Sequence, residues 1–94
     1  VVKMWVIVVY DISDDEKRNK IARELQRLGL SRIQRSAFVG DIDSQRFKDL
    51  VRIMGKLVTG KDDILHIIPL GLRDWERRVV INGDSVRREA VSLL

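Results

Sequence analysis

The chain is expected to fold as an α+β domain, a ferredoxin-like βαββαβ antiparallel sheet with an additional C-terminal strand, on three patterns. Residues 4–9 and 64–70 are apolar at nearly every position, as strands buried on both faces are. Residues 21–28 and 47–58 instead repeat apolar side chains at helical spacing. Residues 32–38 alternate polar and apolar positions, the period of a half-buried strand.

The first strand, Met4-Trp5-Val6-Ile7-Val8-Val9, runs into Tyr10-Asp11-Ile12-Ser13-Asp14-Asp15. Ser13 followed by Glu16 fits a capping box, so a helix starts near residue 14 or 15. Ile21, Leu25 and Leu28, with Ala22 beside them, form its apolar stripe, and Gly29 ends it in the left-handed conformation. Residues 32–38 give one bent strand or two short ones, with a bulge or bend at Gly40-Asp41 before an extension at Ile42. Asp43 or Ser44 caps a second helix whose stripe is Phe47, Leu50, Val51, Met54, Leu57 and Val58, and Thr59-Gly60-Lys61-Asp62 stops it. The next strand, from Ile64 to Leu70, breaks at Pro69. One further short strand, Arg77 to Ile81, precedes the turn signal Asn82-Gly83-Asp84. Residues 1–84 thus form a single domain, and residues 85–94, which lack a period, form a tail that is mobile or docks through Val86, Val91 and Leu93.

A chain of 94 residues makes one domain with a modest core. Its 45% hydrophobic and 34% charged residues, with one Pro and six Gly, argue for a folded globular chain with short loops and against disorder. Cysteine is absent, which excludes disulfides and thiolate catalysis, and one histidine leaves too few donors for a zinc site of ordinary ligand set. No 18-residue apolar stretch or signal-peptide pattern is present, so no membrane partner and a cytoplasmic location are expected. A net charge of +4 favours a polyanionic partner, and the basic residues cluster: Lys17, Arg18, Lys20, Arg23 and Arg27, then Arg32 and Arg35.

Both helices of a βαββαβ chain pack on one sheet face. Because the strands here are apolar on both sides, something must cover the other face, and a second copy is the simplest cover. The surplus strand then pairs across a homodimer formed through the sheet faces.

Asp11 ends the first strand where core meets water and is the candidate magnesium ligand, because magnesium keeps several waters and takes only one or two carboxylates plus substrate phosphates. Two copies near a twofold axis would share one ion. The competing reading is that Asp11 only hydrogen-bonds the helix start. Tyr10 reads as a packed ring with its hydroxyl at the rim. Phe38, beside Arg32 and Arg35, reads equally as a stacking platform or as core. His66, inside an apolar strand, reads as a core histidine.

Tyr10-Asp11-Ile12, Asp14-Asp15, Arg18, Leu25, Gly29 and the run Arg32-Ile33-Gln34-Arg35-Ser36-Ala37-Phe38-Val39-Gly40-Asp41 closely resemble the second core CRISPR-associated protein family, Cas two. The resemblance spans nearly all of residues 4–84 and implies a ferredoxin-like homodimer that joins the Cas one integrase in spacer acquisition. It also implies a magnesium-dependent endonuclease acting on single-stranded RNA or duplex DNA. By position, Asp11 matches the catalytic, metal-binding aspartate, and Tyr10, Arg18, Arg32 and Phe38 match nucleic-acid-binding positions. Lys20 stands where some relatives have arginine and keeps the charge without the two-pronged geometry. Family members that look alike differ in nuclease activity, so a non-catalytic DNA-binding dimer that scaffolds the integrase is the alternative.

Overall fold

The computed structural model describes residues 2–82. Its order is β1 (Lys3–Asp11), α1 (Asp15–Arg27), β2 (Ser31–Gln34), β3 (Ala37–Asp43), α2 (Ser44–Leu57), β4 (Ile64–Leu70) and α3 (Leu72–Glu76). The strands lie in the order β2-β3-β1-β4, every neighbouring pair antiparallel. This is the ferredoxin-like sheet the patterning predicts.

The pleat sorts β1 into two faces. Val6, Val8 and Tyr10 point into the core, joined by Phe38 and Ile42 of β3, Ile21 and Leu25 of α1, and Leu50 and Met54 of α2. Both helices therefore cover one face. Trp5, Ile7, Val9 and Asp11 take the opposite, open face, in register with Leu70, Ile68, His66 and Ile64 of β4. Three apolar side chains there stay exposed, Val9 at 36%, Ile68 at 41% and Ile64 at 50%.

Local chemistry moves several expected boundaries. The N-cap of α1 is Asp14, whose carboxylate accepts from the Glu16 N–H at 2.9 Å, in place of Ser13. The helix begins one residue later than a Ser13 cap requires. Ser13 instead donates its N–H and hydroxyl to Asp63 Oδ1 at 3.3 and 3.4 Å, tying the β1–α1 loop to the approach to β4. Asp14→Ala is expected to lower stability by about 1 kcal/mol, measured by denaturant unfolding, because the Glu16 N–H loses its acceptor.

Residues 32–38 resolve into two strands, with the register shift inside β2, between Arg32 and Gln34, and not at Gly40. Gly40 serves a close approach instead. A Cβ there would stand 3.0 Å from Leu30 Cγ and 3.1 Å from the Gly29 carbonyl oxygen, so β3 passes the end of the α1–β2 connection only without a side chain. Gly29, with φ of +97°, ends α1 as expected.

Pro69 does not break β4: it pairs with Val6 inside the strand. The strand lies at the sheet edge, where a missing donor is tolerated. The additional strand at Arg77 to Ile81 is absent from the single chain. The N–H groups of Arg77 and Arg78 are drawn into the end of α3, donating to carbonyls of Arg73, Asp74 and Trp75. Residues 79–81 join no sheet ladder among the described residues. The short α3 lies against the open face, its Trp75 stacked on Trp5 with ring centroids 4.4 Å apart and the Arg78 guanidinium 3.6 Å from the Trp75 ring centroid. Residues 85–94, expected as a tail, lie outside the described residues.

Candidate functional site

The end of β1 carries the site residues, divided by the pleat between two faces. Asp11 is exposed at the strand terminus on the open face. The helix start is capped by Asp14, so Asp11 is not needed there. Among the described residues no group of three or more His, Cys, Asp or Glu gathers around a possible ion. At this end of the sheet β1 offers one carboxylate on the open face, Asp11; Asp41 lies toward the other end, opposite Trp5. One such carboxylate fits magnesium, which completes its shell with water and substrate phosphate.

Tyr10 turns the other way, into the wall of a pocket of about 150 Å³ lined also by Arg18, Asn19, Arg32, Arg35 and Ser36. The Tyr10 N–H donates to the Ser36 carbonyl at 3.0 Å, which pins the β2–β3 turn against β1. Arg18 donates to the carbonyls of Ile12 at 2.7 Å and Ser13 at 3.1 Å and pairs with Asp15. Arg18 thus holds the loop after Asp11 and borders the pocket with its positive charge. Arg32 donates to the Arg35 carbonyl at 3.2 Å and lies 5.1 Å from the centroid of the Phe38 ring. Three arginines, Arg18, Arg32 and Arg35, thus gather positive charge around one small opening, and guanidinium groups match the geometry of phosphate oxygens.

Phe38 is fully buried, with Tyr10 stacked 6.4 Å away. Its ring is core, and its service to the pocket is to seat the Arg32 guanidinium; stacking directly on a base is closed to it. Lys20 stands apart from the pocket, in a wider groove with Lys17, Arg23 and Lys56 between α1 and the end of α2.

Burial raises the Tyr10 phenol above its ordinary value of 10.0, while the charges of Arg32 and, less, Arg18 pull it back. The phenol keeps its proton longer in the folded chain than in the unfolded one. Its contribution to stability is therefore full below the unfolded value and falls as pH rises past it. Tyr10 is the sole tyrosine, so an ultraviolet absorbance titration reads it alone. Ionisation is expected above the ordinary phenol range, and at higher pH still in Arg32→Ala.

His66 corrects the sequence reading. It is exposed on the open face, in register with Val9 and therefore diagonal to Asp11, while its neighbours Leu65 and Ile67 pack toward the core.

The family model described as CRISPR associated protein Cas2 matches residues 4–78. The chain belongs to the Cas2 family. The match spans β1 through α3, so the Asp11 strand end and the arginine pocket both fall within the Cas2 region. A Pyrobaculum aerophilum protein named CRISPR-associated endoribonuclease Cas2 2 is 39% identical over 90 residues, covering 96% of this chain and 99% of that one. The crystal structure of Streptococcus pyogenes Cas2 matches with a TM-score of 0.72 at 26% identity, over 85% of this chain and 100% of that chain. A Thermoproteus tenax protein named a CRISPR-associated endonuclease Cas1/endonuclease Cas2 fusion is 40% identical over 70 residues, 74% of this chain and 26% of the fusion. No helix among the described residues is long and apolar enough to cross a membrane.

Proposed function

We propose that the chain is a CRISPR endonuclease of spacer acquisition, cleaving phosphodiester bonds of single-stranded RNA or duplex DNA as a homodimer whose two Asp11 residues hold one magnesium ion. The observation that carries this reading is Asp11: an exposed carboxylate, unused by the helix cap, at the edge of an apolar sheet face. A second copy laid on that face would cover Val9, Ile64 and Ile68 and bring a second carboxylate to the same end. Magnesium bound there would activate water and neutralise charge developing on the phosphodiester.

The chain's own residues divide the remaining work. Arg32 and Arg35, exposed at the pocket mouth, bind phosphate oxygens. Arg18 holds the Ile12–Ser13 carbonyls, and with them the loop that aims Asp11. The Tyr10 ring closes the pocket floor. Lys20, with Lys17, Arg23 and Lys56, extends the contact to phosphates farther along the strand.

The test is incubation of the purified protein with labelled single-stranded RNA and duplex DNA, with magnesium or chelator. Cleavage that requires magnesium supports the reading and names the substrate. Cleavage that persists in chelator overturns the metal mechanism, and sedimentation as a 10.9 kDa monomer at micromolar concentration overturns the shared ion. The fused Thermoproteus tenax relative favours a second reading, in which the same basic dimer binds duplex DNA uncut and presents it to a Cas1 integrase. Tight DNA binding without cleavage under either condition would establish it.

A further inference from the structure

We propose that His66 is a second ligand of the Asp11 cation site, so that this chain's site takes nitrogen-preferring divalent ions of the zinc class as well as magnesium. The inference rests on the reading of Asp11 as a metal ligand. It starts from register: Asp11 opposes Ile64 and Val9 opposes His66, and directly opposed residues share a face. Asp11 and His66 are therefore diagonal neighbours on the open face, about 7–8 Å apart between Cα atoms, a span over which a carboxylate and an imidazole can converge on one ion. Both are exposed, so neither must leave a packed position to do so.

The strand side chains flanking the pair are apolar. Val9 and Ile64 complete the diagonal square with apolar side chains, and the β3 residues beside Val9 and Ile7 are Ala37 and Val39. An imidazole standing in that apolar setting has Asp11 as the titratable group nearest to it on β1. Carboxylate and water suit magnesium, whereas imidazole suits zinc and its neighbours in the transition series. A single chain supplies one donor of each kind. Two chains meeting on this face supply two carboxylates and two imidazoles, the four donors of a tetrahedral site. The single-chain histidine count, which set zinc aside, does not apply to such an interface.

His66 is the only histidine, so its ring protons give one traceable set of NMR signals, and zinc itself is the probe. Zinc is expected to shift those signals saturably. By calorimetry, Asp11→Asn and His66→Asn should each weaken zinc binding by about 10-fold or more, since even outer-shell partners cost that much. An unchanged zinc response of the ring in Asp11→Asn would mark His66 as a lone surface imidazole and overturn the proposal. So would unchanged zinc affinity in His66→Asn. Magnesium-dependent cleavage separates the two readings: if Asp11→Asn is inactive while His66→Asn keeps zinc affinity, the Asp11 reading stands and the His66 one falls. If Asp11→Asn still cleaves, the Asp11 reading itself fails.

Discussion

Asp11→Asn is expected to lower magnesium-dependent cleavage by roughly a hundredfold or more, about 3 kcal/mol of barrier, while leaving the fold intact. The amide is nearly the same size and keeps a carbonyl oxygen, but it loses the negative charge that holds a hard cation. Stability should stay within about 0.5 kcal/mol of wild type, the usual range for exposed positions without a structural partner. The α1 cap depends on Asp14 and the adjoining loop on Arg18, so the substitution touches neither. Cleavage rates with each substrate, together with a denaturant midpoint for the variant, provide the check. If rate and stability fell together, Asp11 would be structural. If neither moved, the carboxylate would be a bystander and the scaffold reading would lead.

How far the chain could be read depended on whether a pattern was local. Helix α2 shows its stripe over many residues, and Asp43 does cap it, accepting from the Arg46 N–H at 2.8 Å. The stop at Gly29 was equally plain, since few residues other than glycine accept a φ of +97°. Face assignment was harder. In a strand apolar at every position, alternation carries no information about which parity meets the helices. Thus His66 read as core until pairing with β1 placed it on the open face with Val9. The same parity separates Tyr10 from Asp11: adjacent in sequence, they serve opposite faces. Helix α3 leaves no periodic trace in the sequence, because five residues are too short to show a period. What positions it is a tertiary contact, the Trp5–Trp75 stack. The signal at Gly40 is ambiguous in sequence alone, since a close approach of backbone and a bulge both call for glycine.

Phe38→Ala is expected to lower stability by about 3–5 kcal/mol, the usual loss for a buried phenylalanine. In a domain of this size that is a large part of the whole. The ring is fully buried at the centre of the sheet, paired across β1 with Val8 and stacked beside Tyr10. Its removal opens a cavity between the sheet and the two helices packed on it. The consequences should reach the pocket. Arg32 loses the aromatic face beneath its guanidinium, and Tyr10 loses the neighbour that holds its ring against the pocket wall. Phe38→Leu separates the two effects: it keeps most of the apolar volume, so stability should fall less, yet it removes the π face on which Arg32 rests. Nucleic-acid affinity measured on that variant at a temperature where it remains folded should therefore drop toward the Arg32→Ala value. Affinity equal to wild type would show that Arg32 is held by the Arg35 carbonyl alone, and the buried ring would then matter to the site only through the fold.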